Sequence, residues 1–275
     1  SEGFKGGGFD PRGQTNAAPD LDGDGVVSEE EVFEFMKFEP ETVKTWELGW
    51  KTTALQGRMT SKLAVFFSKY TDVQVPGSIG YDTTGDGVND SFIGITSNAG
   101  KADINGVEWE GQAILADDLG RTGSQFRFGW AVGYIDADYK EYIDAFGNDV
   151  ADERVFQNTP KWTATGTFTY DTPVNLFNTP GMFSVITSIA YRDDTSQFEV
   201  PNPFLDQPSY TLWDLSLVWS QDSGNWSAGI HAKNIGDKKY KVAGYFFPNL
   251  GLESNITAFY GNPRQIWGTV QYNWF

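Results

Sequence analysis

The hydrophobic pattern of this chain settles into a period of two from Glu41 onward. Trp46, Leu48 and Trp50 alternate with Thr45, Glu47, Gly49 and Lys51. Leu63, Val65 and Phe67 alternate with Lys62, Ala64 and Ser68, with Phe66 as an interruption. Val107 and Trp109 alternate with Glu108 and Glu110, and Phe126, Phe128, Trp130, Val132 and Tyr134 with Gln125, Arg127, Gly129, Ala131 and Gly133. Successive side chains of a strand point to opposite faces, so each run predicts a strand with one apolar and one polar face.

The second half repeats the pattern. Trp162, Ala164, Gly166, Phe168 and Tyr170 alternate with Lys161 and a row of threonines; Phe183, Val185, Ile189 and Tyr191 alternate with Ser184, Ser188 and Arg192, with Ile186 and Thr187 as exceptions. Trp213 to Trp219 and Trp226 to Ile230 follow. The last run, Ile266 to Phe275, places Ile266, Val270, Tyr272 and Trp274 on one parity and Thr269, Gln271 and Asn273 on the other. Counted together, these are nine full strands, and SEGFKGGGFDPR reads as the tail of a tenth. Short turns follow strands one, three, five and seven. Long Gly-, Asp- and Asn-rich connections follow strands two, four, six and eight, including 72–101 and 241–262, and another precedes strand one.

One-sided strands joined by alternating long and short connections predict an all-β protein, an antiparallel transmembrane β-barrel with short periplasmic turns and long extracellular loops. That alternation predicts a periplasmic C-terminus. Trp162 and Tyr170 bracket one apolar face eight residues apart. On tilted strands this is roughly 20 Å of height, close to the apolar band of such barrels. A soluble barrel or sandwich would turn the same apolar face inward. Composition agrees with the membrane reading: the chain is 16% aromatic with 10 Trp and 21 Phe, yet its longest strictly apolar run is Leu63–Phe67. No helical span is predicted. Ser1–Asp10 has no apolar core, so the expectation is a cleaved signal or a fragment. The net charge of −17 argues against a nucleic-acid partner.

Several blocks, in order, resemble the C-terminal part of TonB-dependent outer-membrane receptors. They are SEGFKGGGFDPR, FEPETVKTWELGWKT, ADINGVEWEG, NTPKWTATGTFTY, AKNIGDKKY and YGNPRQIWGTVQYNWF. The resemblance covers nearly all of residues 1–275 and implies a barrel of about 22 strands with a plug in its lumen. About nine to ten of those strands are expected here. It also implies uptake of a scarce solute of the siderophore, cobalamin, haem or carbohydrate class. The energy would come through a TonB-type periplasmic partner acting on a plug outside this sequence, so no TonB-contacting residue is named. Outer-membrane lipid and the barrel assembly machinery, acting on the C-terminal strand, are the other implied partners. The apolar set of that strand is one residue out of register with Phe275, unlike the usual terminal signal.

The strongest local motif is DLDGDGVVSEEE within the acidic segment 14–40, read as an extracellular loop. It fits a twelve-position EF-hand loop: Asp20, Asp22 and Asp24 at positions 1, 3 and 5, and Gly25 at the turn. Val26 offers its carbonyl, Ser28 sits at position 9 and Glu31 at position 12. A structural calcium ion is the expectation; a solvated acidic loop is the alternative. EEEVFEFMKF then predicts a helix sharing Val32, Phe33 and Met36 on one face. A second acidic stretch, Asp82–Asp90, has Asp82, Asp86 and Asp90 but Ile93 at position 12, so an acidic turn is at least as good a reading.

The only histidine, His231, is read as a lumen-wall residue, with Arg127, Lys161, Arg192 and Lys233 beside it in the lumen. It lacks a nucleophile motif, and the chain is not expected to be an enzyme. Tyr245, Phe246, Phe247, Phe259 and Tyr260 on the last long connection are candidates for ligand contact or for loop packing. Function therefore reads as energised uptake, with a passive porin-like channel or a calcium-dependent surface binding protein as alternatives.

Overall fold

The computed structural model describes residues 1–13, 18–82, 84, 91–98, 100–144, 148–247 and 255–274. In chain order the strands and helix are β1 (Glu2–Lys5), β2 (Gly8–Phe9), α1 (Glu29–Met36), β3 (Lys37–Phe38), β4 (Glu41–Ala54), β5 (Met59–Thr71), β6 (Gln74–Tyr81), β7 (Ser91–Asn98), β8 (Gly100–Asp117), β9 (Gln125–Tyr142), β10 (Trp162–Pro173), β11 (Gly181–Arg192), β12 (Tyr210–Gln221), β13 (Trp226–Lys233), β14 (Lys241–Phe247), β15 (Asn255–Tyr260) and β16 (Gln265–Tyr272). Ten of these form one sheet in the order β1-β4-β5-β8-β9-β10-β11-β12-β13-β16. Every neighbouring pair is antiparallel. The sheet is an up-and-down arc of barrel wall with β1 and β16 at its edges. These are the nine strands and the tail that the alternation predicts.

Register carries the apolar face from strand to strand. Leu48 stands opposite Val65, Val65 opposite Val107, Val107 opposite Tyr134, and Tyr134 opposite Trp162. Further along, Val185 meets Leu217 and Leu217 meets Ile230. A slip of one residue anywhere would turn a whole strand inside out. Two aromatic rows cross this face. Tyr134 and Trp162 stand with ring centroids 4.7 Å apart near the long-connection end, and Trp226 and Tyr272 stand 4.6 Å apart near the short turns.

Nothing in the described chain covers that face. The buried apolar residues are Ala18, Met36, Val73, Val75, Ile93, Ile95, Ala102, Tyr142 and Leu205, and all lie at the long-connection end. On the sheet, Trp46 is 80% exposed, Leu48 78% and Val270 74%. A fully buried Leu is worth about 1.5–3 kcal/mol over an exposed one. A soluble fold would not leave a face of this size uncovered, whereas a transmembrane barrel presents it to lipid. Among the described residues no helix is long and apolar enough to cross a membrane, which says nothing of strands.

Four exceptions to the alternation have local causes. Phe66 lies over Gly106 on the polar face; a Cβ at Gly106 would stand 2.4 Å from the Phe66 ring. Thr187, on the apolar face, accepts the indole N–H of Trp213 at 2.6 Å, and Ser61 accepts that of Trp109 at 2.9 Å. Trp267 sits on the polar face and stacks on His231 at 5.2 Å.

Two long connections are corrected. Residues 72–101 and 241–262 read as loops, but they contain the paired hairpins β6–β7 and β14–β15. β8 and β9 also extend well past their predicted cores, to 18 residues each. At about 3.3 Å per residue they project beyond the apolar band, and that projection carries the structures at the mouth.

Candidate functional site at the mouth

The long connections gather at one end of the sheet. On one side, the segment between β1 and β4 packs on the β6–β7 hairpin. Gly13 admits the Met36 side chain; a Cβ there would lie 2.8 Å from Met36 Cγ and 3.4 Å from Ile95 Cδ1. Asp10, 4% exposed, accepts Arg12 Nε at 3.0 Å and Thr96 Oγ1 at 2.8 Å. The Arg12 guanidinium holds the Asp10 carboxyl well below the usual carboxylate range, against the opposing effect of burial. The Gln74 amide donates to the carbonyls of Gly6 (2.9 Å) and Glu39 (3.0 Å). Asn98 donates to the carbonyls of Glu39 and Asp72.

The acidic loop sits on the outside of this layer. One oxygen from each of Asp20, Asp22 and Asp24 lies within 4.8 Å of the others. Asp20 accepts the N–H of Gly23 at 2.7 Å and of Gly25 at 2.8 Å, and both glycines have positive φ (77° and 86°). Asp24 accepts Val26 N–H at 2.7 Å. Ser28 and Glu31 form the capping box of α1. Glu31 Oε1 also accepts Leu21 N–H at 2.6 Å, and these backbone donors draw the Glu31 carboxyl below its ordinary value. The sequence-predicted set is therefore brought into one loop: three aspartates adjacent, Val26 following, and Ser28 and Glu31 at the helix start. The helix departs from expectation in one residue. Met36 is buried but Phe33 is 57% exposed, meeting Phe9 edge-on at 6.0 Å. In the second acidic stretch, Asp82 accepts Thr84 N–H at 2.8 Å, while Asp86 and Asp90 lie outside the described residues.

A second layer, not evident in the sequence, joins the projecting end of β9 to two other connections. Tyr139 stacks on Phe156 at 4.3 Å. Tyr142 donates to Glu199 Oε2 at 2.6 Å, with Arg154 over its ring at 5.4 Å. Burial pushes the Glu199 carboxyl up, opposed by Tyr142 and Arg154; burial also raises the Tyr142 hydroxyl, reinforced by Glu199. Next to it, Leu205 is fully buried against Gly244 of the β14–β15 hairpin. Lys241 Nζ donates to the carbonyls of Phe204 (2.8 Å) and Asp206 (2.7 Å).

Of the aromatic candidates, Tyr245 and Phe259 meet edge-on at 5.7 Å and Tyr260 is 61% exposed; the Phe247 side chain lies outside the described residues. On the polar face, His231 shares hydrogen bonds with Ser216 Oγ (3.0 Å) and Thr269 Oγ1 (2.9 Å), tying β12, β13 and β16 together. Arg127 pairs with Asp171. Arg192 reaches the Asn158 carbonyl at 2.9 Å. Lys161, the residue before β10, reaches Asp136 of β9 at 3.3 Å.

Comparison with known proteins agrees with this architecture. The ferric yersiniabactin uptake receptor FyuA from Yersinia pestis superposes with a TM-score of 0.66 at 18% identity, over 100% of this chain and 34% of that one. BauA, the ferric preacinetobactin receptor from Acinetobacter baumannii, gives 0.60 at 20% identity, over 98% and 33%. The copper transporter OprC gives 0.61 at 13% identity, over 89% and 33%. The chain thus spans about a third of the length of these structures, and at such identities they speak for the fold. The family model described as TonB dependent receptor-like, beta-barrel, matches residues 1–235, and the chain belongs to that family.

Proposed function

We propose that this chain is the C-terminal part of an outer-membrane receptor that takes up a scarce solute with energy delivered by a TonB-type periplasmic partner. The observation that carries the reading is the uncovered apolar face of a ten-stranded antiparallel arc whose connections alternate between long and short. Membership of the receptor family supports it. In this reading the structured mouth faces outward, the short turns and the C-terminus face the periplasm, and the assembly machinery acts on β16. The solute is a metal chelate of the siderophore class before cobalamin, haem or carbohydrate. Support comes from the structural neighbours, receptors for ferric yersiniabactin and ferric preacinetobactin and a copper transporter. The test is accumulation of radiolabelled ferric chelates by cells carrying the full-length receptor. Uptake that stops when the proton gradient is collapsed is the expected result; uptake that continues unchanged points to a passive channel.

The acidic loop is proposed to hold a structural calcium ion. Asp20, Asp22, Asp24, the Val26 carbonyl, Ser28 and Glu31 are its ligands, Ser28 directly or through water. Hard oxygen donors at alternate positions, with a carboxylate anchored at the helix start, suit calcium. The ion orders the loop. Titration calorimetry of the full-length receptor should give a dissociation constant of about 0.1–1 mM, as for many extracellular sites. The Asp22→Asn/Glu31→Gln variant should give no heat; absence of heat from the parent protein removes the proposal.

A further inference from the structure

On the polar face, at the end near the short turns, β5, β8, β9 and β10 enclose a recess of about 360 Å³. Its place follows from register. Thr60, Gln112, Gly129 and Thr167 stand in one row across the four strands. In the next row toward the turns, the Ile114 N–H meets the Arg58 carbonyl at 2.8 Å, Ile114 faces Arg127, and Arg127 faces Thr169. Gly129 has no side chain, so the longer side chains around it stand as a rim. Arg58 and Arg127 flank a single strand, roughly 10 Å apart at their Cα atoms. An aspartate draws each toward the turns: Arg58 pairs with Asp117 and Arg127 with Asp171.

The recess is rich in donors and poor in acceptors. Both carboxylates are spent: Asp117 also accepts the Gln125 amide at 3.1 Å, and Asp171 also accepts the Ser184 hydroxyl. The guanidinium groups, with five N–H donors each, are not. Among the described residues, Arg58 adds only a bond to the Ile114 carbonyl at 3.3 Å, and Arg127 adds none. The side chains of Gln112, Thr60 and Thr169 have no hydrogen-bond partner among those residues either. The Arg58 and Arg127 side chains stay 38% and 48% exposed, open to a ligand from the lumen. The two ion pairs sum to zero charge, so a monoanion suits the recess better than a dianion. A planar guanidinium fork matches a carboxylate through two parallel N–H bonds. We infer that this recess binds a carboxylate between Arg58 and Arg127, with the Gln112 amide and the Thr60 and Thr169 hydroxyls as further donors. The carboxylate belongs either to a solute in the lumen or to a luminal segment of the full-length receptor. The assignment needs only that this face line the lumen, so it stands or falls apart from energised uptake.

The test is a crystal structure of the full-length receptor soaked with para-bromobenzoate, a carboxylate that carries an anomalous scatterer. A bromine peak in the recess, with the carboxylate on both arginines, identifies a free ligand. An aspartate or glutamate of the receptor seated there identifies an internal one, and either result supports the inference. A recess holding only water, a cation or an apolar side chain overturns it. The variant R58Q/D117N/R127Q/D171N removes both ion pairs together and leaves no carboxylate unpaired. A hydrogen bond to a charged group is worth about tenfold or more, so this variant should weaken a free ligand about a hundredfold in equilibrium dialysis. If the ligand is internal, hydrogen exchange in its segment should rise instead. K62Q/E110Q removes an ion pair further into the lumen on β5 and β8 and should change neither readout. Equal binding of neutral para-bromobenzamide, no effect of the fourfold variant, or an equal effect of K62Q/E110Q overturns the inference.

Discussion

Leu217 and Thr165 mark the two sides of the barrel wall at the residue scale. Leu217 lies between Val185 and Ile230 on the outward face, four residues after Trp213 and two before Trp219. Thr165 points to the lumen between Ala131 and Ala190. Arginine on the lipid side at mid-membrane costs about 2–4 kcal/mol, whereas a lumen position meets water or polar groups. Leu217→Arg should therefore lower the stability of the receptor refolded into vesicles by about that amount, measured by denaturant titration. Thr165→Arg should change it by less than about 1 kcal/mol. Glu199 makes a second prediction. Its folded carboxyl sits above its unfolded value, because burial disfavours the charge. Its contribution to the packing at the mouth is then full below the unfolded value and declines as pH rises through the folded one. Hydrogen exchange at Val155, whose N–H donates to the Glu199 carbonyl at 2.8 Å, should become more protected, after correction for intrinsic rate, on going from neutral to acid pH. Glu199→Gln should remove that dependence. Asp10 has the opposite sign: its depressed carboxyl stabilises the β6–β7 side above the ordinary carboxylate range and stops doing so as pH falls.

Elements were legible in proportion to how regularly their residues alternate. Every strand of the main sheet showed in the sequence, because a wall with lipid on one side and polar groups on the other enforces a period of two. The mouth was harder to read. β7 carries the same signal in Ile93 and Ile95, both buried, but over too short a stretch to stand out from its Gly- and Asp-rich surroundings. β14–β15 pairs through a bulge between Lys241 and Ala243, which shifts its parity. The metal-loop pattern was legible because each position has its own chemical requirement. The Tyr142–Glu199–Arg154 cluster was not, since its members come from three separate segments. How firmly the last hairpin is held can be tested at Gly244. A Cβ there would stand 2.6 Å from Leu205 Cδ2 and 3.0 Å from the Thr257 carbonyl oxygen. Gly244→Ala should weaken the docking of β14–β15 by about 1–3 kcal/mol, as overpacking does. Limited proteolysis should then cut this hairpin faster, with the thermal transition of the barrel unchanged.

For the whole molecule, burial is inverted relative to a soluble protein. The well-packed cores are small and lie in the mouth, while the largest apolar surface covers the outside of the sheet. In the proposed reading, that division gives the two ends and two faces separate roles: lipid anchorage outside, a polar lumen within, and a structured entrance built from the long connections. The exposed hydrogen-bonding edges of β1 and β16 fit the same picture, since a strand edge is not tolerated in hydrocarbon and must be paired by further barrel strands. The most direct measurement is site-directed spin labelling along β10 in the full-length receptor reconstituted in lipid, comparing collisions with oxygen and with a water-soluble nickel complex. Labels at positions 164, 166 and 168 should collide preferentially with oxygen, and labels at 163, 165 and 167 should not, giving a period of two along the strand. A uniform profile, or oxygen contact at the threonine positions instead, would contradict a wall that turns its apolar face to lipid.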